Sequence, residues 1–114
     1  MNNLVKIKVN EIINGQTAVS SIEGEKLYKK ISENFQVDTN VELDFSEIKL
    51  IISAFLNSSI GQLYGVYETP FIKEHLTIKG MESDDLYLLK KVTDRAKEYF
   101  LNKSQFENSV NEIL

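Results

Sequence analysis

Apolar and polar residues alternate through Val41-Glu42-Leu43-Asp44-Phe45, the two-residue period of a half-buried strand. Leu4–Val9 alternates toward its end and His75–Lys79 alternates throughout, so both predict strands, with Gly80 ending the second. Asn14-Gly15 is a turn signal after the apolar Ile12-Ile13 pair, and Thr17-Ala18-Val19 then reads as the second strand of a hairpin. Elsewhere the spacing is helical. Leu27, Ile31 and Phe35 recur at every fourth position and predict a helix over about 22–34. Ser20-Ser21-Ile22-Glu23 before it has the spacing of a capping box, and Glu25 and Lys29 are ordered for a helical ion pair.

A second helix is predicted from Ser53 to Tyr64 or Val66, with Leu56, Ile60, Leu63 and Tyr67 as its apolar stripe. Gly61 and Gly65 share a face of it and suit a close approach to a sheet. Pro70 disfavours a helical residue before it and closes the following connection. Ser83-Asp84-Asp85 opens a third helix, with carboxylates in its positive first turn. Its stripe, Leu86, Leu89, Val92, Ala96 and Phe100, runs to about Leu101, and Asn102-Lys103-Ser104 breaks it. Alternating strands and helices predict an α/β fold, a mixed sheet of about four strands with helices packed against it. The domain is expected over 1–103, with 104–114 a tail or a short docked helix carrying Phe106, Val110, Ile113 and Leu114.

Composition narrows the function classes. A chain of 114 residues fits one core. Its net charge of -4, from 17 acidic and 13 basic residues, argues against nucleic-acid binding. The adjacent basic pairs Lys29-Lys30 and Lys90-Lys91 sit among carboxylates and read as solvated helix faces. No apolar run has the length of a membrane span, Met1–Leu4 is not a signal peptide, and there is no cysteine. A soluble, cytoplasmic protein is expected.

The candidate chemistry is sparse. His75 is the lone histidine, and such a residue is more often structural than a general base. Glu82, Asp84 and Asp85 suit a cation, but a helix start explains them without any ion and is the favoured reading. Glycine-rich phosphate loops and a serine nucleophile elbow are missing, so neither an enzyme nor a cofactor is expected. What stands out is Asp44-Phe45-Ser46-Glu47, an acidic and hydroxyl turn at the end of a strand that leads toward a helix. In α/β proteins that edge is where function sits. Asp44, Ser46, Glu47, Ser53, Asn57 and Ser58 are therefore the expected partner-binding residues. Ser53 at the helix start is either the N-cap or a site for phosphate.

These residues resemble those of STAS domains, which include the anti-anti-sigma factors. In that family a strand ends in Asp-Leu-Ser-Gly and a helix opens with Asp-Ser-Ser-Gly-Leu. Asp44-Phe45-Ser46-Glu47 and Ile52-Ser53-Ala54-Phe55-Leu56 stand in those places. The bacterial STAS-like group tends to read Leu-Asp-Phe-x-x-Ile-x-x-Ile-x-Ser-x-Phe, which Leu43, Asp44, Phe45, Ile48, Ile51, Ser53 and Phe55 match. A glycine before the first helix, here Gly24, and a polar start to the last, here Ser83-Asp84-Asp85, are also similar. The resemblance spans roughly residues 4 to 101.

It implies a regulatory protein–protein interaction module rather than an enzyme, whose partner is a GHKL-type ATP-binding kinase or a sigma-factor regulator. In anti-anti-sigma factors such a kinase phosphorylates the serine before the motif's glycine. Ala54 stands at that position here, Ile52 at the preceding aspartate and Phe55 at the glycine, which leaves Ser53 as the candidate phosphoacceptor. Two alternatives stay open. One is a nucleotide or small-ligand binding domain using amides at the second helix start. The other is a structural homodimer subunit that pairs through its apolar tail.

Overall fold

The computed structural model describes residues 3–113, with side chains for residues 3–105. Among the described residues there are five strands and five α-helices, in the order β1 (Leu4–Lys8), α1 (Val9–Ile13), β2 (Thr17–Ala18), α2 (Ser21–Phe35), β3 (Asn40–Asp44), β4 (Leu50–Ile51), α3 (Ser53–Ser59), α4 (Thr69–His75), β5 (Leu76–Lys79) and α5 (Ser83–Ile113). The fold is α/β, as the pattern predicts. The strands do not join in one mixed sheet of about four, however. They form a three-stranded sheet in the order β1-β3-β5 and a separate pair, β2-β4, and every pairing is parallel.

The three-stranded sheet has two unlike faces. Register sets Val5 beside Val41, Ile7 beside Leu43, and Val41 and Leu43 beside Leu76 and Ile78. These side chains form the inner face, where Val41 and Leu43 are fully buried. Lys6, Glu42 and Thr77 share the other face, as do Lys8, Asp44 and Lys79 one step on. That face is polar and its lysines are exposed. Parallel sheets are usually covered on both sides. This one is covered on one.

The predicted hairpin does not form. Val9 and Ile13 lie one helical turn apart and both are buried, so the chain leaves the sheet at Val9 and makes α1. Asn14 ends that turn at φ 52, a left-handed conformation that asparagine tolerates better than most residues. Strand β2 then pairs with β4, and the Gln16 carbonyl accepts from the amide of Lys49 at 2.7 Å.

Helix α2 matches its prediction closely. The Ser20 hydroxyl accepts from the amides of Ile22 and Glu23, at 3.1 and 3.3 Å, and so satisfies donors that the first turn leaves open. Leu27, Ile31 and Phe35 are buried along one face. Glu25 accepts from Gln62 Nε2 at 2.7 Å rather than pairing with Lys29.

The long second helix is divided. Helix α3 ends at Ser59, and a 3-10 helix follows over Gly61–Gly65. Gly61 and Gly65 serve α5 and not the sheet. A Cβ on Gly61 would touch Val92 at 3.6 Å, and one on Gly65 would strike the Phe100 ring at 2.5 Å. Pro70 lies inside the first turn of α4 instead of stopping a helix, where its missing N–H costs nothing. His75 consequently ends α4 rather than starting β5. Nor does α5 break at Asn102-Lys103-Ser104. It is one helix of 31 residues, roughly 45 Å long. Phe106, Val110, Ile113 and Leu114 lie outside the residues whose side chains are described.

Candidate functional site

Each strand of the main sheet ends at the same edge in a charged residue: Lys8 on β1, Asp44 on β3 and Lys79 on β5. Register makes them neighbours, with Asp44 between the two lysines. Lys79 also bonds Glu42, one step back on the same face, at 3.2 Å. Past this row the chain turns. Asp44 Oδ1 accepts from the Ser46 amide at 2.9 Å and from the Ser46 hydroxyl. The Ile48 amide then bonds the Phe45 carbonyl at 2.9 Å. Phe45 is buried beside the exposed Ser46 and Glu47 and fixes the turn to the core.

Gly80 completes the edge. It has φ +79, and a Cβ there would come within 2.5 Å of the Ser46 amide nitrogen and 2.8 Å of Asp44 Oδ1. Only glycine combines that backbone with so close an approach. The Phe45 amide bonds the Lys79 carbonyl at 2.8 Å, which ties the two turns together.

The hydrogen bonds from Ser46, side chain and then backbone, hold the Asp44 carboxyl below the ordinary aspartate range, with smaller help from Lys8 and Lys79. Its charge is thus secured while the carboxylate stays accessible to solvent. Ser46→Ala is expected to bring the Asp44 titration back toward its ordinary value. Carboxyl carbon shifts followed by NMR against pH check this, and an unchanged midpoint would show that Ser46 is not the cause.

The remaining predicted residues divide. Ser53 is the first residue of α3, and the cap position belongs to Ile52, which has no side-chain oxygen to offer. The Ser53 hydroxyl is therefore not the helix cap, and it is exposed. Asn57, one turn on, shares that exposed face, and Glu47 is exposed in the loop. Ser58 turns inward. Its hydroxyl donates to the Phe55 carbonyl at 3.2 Å and lies against Gly24 of α2. Among the described residues, no hydrogen bond or ion pair joins the Asp44–Glu47 loop to Ser53 or Asn57. Strand β4 separates them along the chain, held by the bond from the Ile52 amide to the Ala18 carbonyl at 3.0 Å.

The sequence pattern alone does not mark Lys8, Lys79 and Gly80 as members of this edge. Each stands at or just past the end of an alternating segment. That signal marks strand ends but does not reveal which ends meet. His75 lies elsewhere, packed in an aromatic stack beside α2, and Glu82, Asp84 and Asp85 lie at the start of α5. Among the described residues, no helix is long and apolar enough to cross a membrane.

No curated protein and no solved structure matches the chain significantly. The family model described as a STAS-like domain of unknown function matches residues 23–86, which run from the first turn of α2 through β3, the Asp44 turn, α3 and β5 to the start of α5. The chain belongs to this STAS-like family.

Proposed function

We propose that the chain is a non-enzymatic regulatory module that acts in the cytoplasm by docking a protein partner. The surface is the Asp44–Glu47 loop together with the exposed start of α3, and the partner class is a GHKL-type ATP-binding kinase or a sigma-factor regulator. The observation that carries this reading is the rigid, outward presentation of Asp44. Two lysines flank it in register, Ser46 and Gly80 fix its turn, and its charge is held without being buried. An ordered, charged rim on a strand edge favours specific orientation of a partner over raw affinity.

Ser53 is the regulatory element in this proposal. Its hydroxyl is exposed at a helix start, and a phosphate there adds about −1.5 to −2 charges. That change alters the fit of a partner seated on the same helix face as Asn57.

Affinity capture from the native cell extract, read by mass spectrometry, tests this. Wild type is expected to retain an ATPase of the kinase class or a sigma-type regulator. Asp44→Lys and Ser53→Glu, each shown by circular dichroism to be folded, are expected to lose it. Identical partner sets for all three baits would sink the proposal.

A further inference from the structure

A groove runs along one side of α5. Its first part is a cavity of about 310 Å³ with an aliphatic floor of Ile60, Ile72, Leu76, Ile78, Leu86 and Leu89, rimmed by Lys73, Lys90 and Lys97. Its second part, about 560 Å³, shares Tyr64 and Lys97 with the first and continues past Glu68 to Leu101, Lys103 and Ser104. The α5 residues that line the two parts include, besides Leu89, Phe100 and Lys103, a row of Leu86, Lys90, Thr93, Lys97, Leu101 and Ser104. These recur at steps of three or four and so form one helix face, roughly 27 Å long.

Two features single this groove out. The first is incomplete cover. Leu76 and Ile78 occupy the inner face of the sheet beside the fully buried Val41 and Leu43, yet they are only half-buried, and Leu86 opposite them is 46% exposed. The second is charge. A chain of net charge -4 lines this groove with Lys73, Lys90, Lys97 and Lys103 and with one carboxylate, Glu68. Lys90 is engaged by Asp94 at 2.7 Å, and Lys97, which lines both cavities, holds its ammonium over the Tyr64 ring at 5.5 Å.

We propose that this groove docks a peptide segment of a protein partner, with aliphatic side chains on the Leu76–Ile78–Leu86 floor and carboxylates toward Lys73, Lys97 and Lys103. The length of the face suits several residues of a helix or extended chain rather than one compact ligand. The inference stands apart from the role of the Asp44 edge and does not need it.

Selection of a random peptide library displayed on phage against the full chain tests it. Enriched peptides are expected to combine Leu, Ile or Phe with Asp or Glu, and their binding is expected to weaken with rising salt. Lys97→Glu and Lys73→Glu should each weaken binding about tenfold. Leu86→Lys should abolish it, and Asp44→Lys should leave it unchanged. All four positions are at the surface, and thermal melts confirm that the variants fold. Four results would overturn the proposal. They are a library with no binder, binders without carboxylates, binders insensitive to the groove variants, and groove chemical shifts that saturate with dodecanoate while no peptide is enriched. The last would assign the groove to a lipid-like ligand.

Discussion

Gly24→Leu is expected to cost the fold about 3 kcal/mol or more, because it forces a side chain between two helices that already touch. Gly24 is buried on α2, and a Cβ there would overlap the Ser58 hydroxyl and lie 2.7 Å from the Phe55 carbonyl oxygen. The hydroxyl can rotate away, but the carbonyl belongs to the backbone of α3, so α2 and α3 must move apart. Gly24→Ala separates the opposing terms. Alanine gains up to about 1 kcal/mol in helix propensity but meets the same carbonyl, so the expected net change is still a loss. Removing the hydroxyl with Ser58→Gly should not rescue either variant. Urea unfolding midpoints measure all of this, and a Gly24→Leu protein as stable as wild type would show that the helices do not meet there. Small domains are stable by about 5–15 kcal/mol, so a loss of this size is a large fraction of the whole.

Stability is expected to fall as pH rises above the unfolded histidine value of about 6.5 and through the raised folded value, and His75 is the cause. Its Nδ1 lies 2.9 Å from the Phe71 carbonyl and its Nε2 lies 2.7 Å from Asp38 Oδ1. Both partners offer acceptor oxygens, so both bonds are made together only when both ring nitrogens carry protons, as in the imidazolium. Burial pushes the His75 pKa down. The bonds to Asp38 and to Phe71, with the negative charges of Asp38 and Glu74, outweigh it and raise the value above the ordinary one. A group whose folded pKa is raised stabilises fully below its unfolded value, about 6.5, and that contribution is lost as pH climbs through the folded value.

The sequence contains one histidine and no cysteine, so few other groups titrate in this window. The ring stacks on Phe71 at 3.9 Å between centroids, Tyr67 stacks on the other side of Phe71 at 5.4 Å, and Phe35 meets all three edge-on. His75→Ala should therefore cost roughly 2–4 kcal/mol at acidic pH. Asp38→Asn, which keeps an acceptor but removes the charge, should flatten the pH dependence. An NMR titration of the sole imidazole gives its pKa directly, and a midpoint at or below the ordinary histidine value would refute the account.

How much of this was legible depended on the range of the interaction involved. The cap and buried face of helix α2 could be read, because Ser20, Leu27, Ile31 and Phe35 act within one segment. The alternation of Val41, Leu43 and Phe45 likewise fixed β3 and placed Asp44 and Ser46 at its end. Helix α1 could not be read. Its β-branched Val9, Ile12 and Ile13 have strand propensity, and only burial of Val9 and Ile13 against the core makes them helical. Pro70 misled because a proline that stops one helix is equally suited to the first turn of another. Strands of two residues, β2 and β4, carry no period at all, so the split of the sheet lay beyond any local pattern. At the candidate site the same limit applies. Asp44 and Ser46 are two residues apart, whereas Lys8 and Lys79 reach Asp44 only through parallel register. The inward turn of Ser58 had one available signal, the small Gly24 on the helix that faces it.

The parallel register also governs the order of events during synthesis. β3 is the neighbour of both other strands of its sheet, and among the described residues β1 pairs with no other strand. While the ribosome is making α1, β2 and α2, the segment Leu4–Lys8 has no partner in existence. Its first ladder becomes available only once the chain has been made through Asp44, after the closing of a long loop that contains all of α2. Helix α2, capped by its own Ser20, needs no such wait. The nascent chain therefore carries a local helix and an unpaired strand at once, and the central strand, last of the three parts to emerge, joins them.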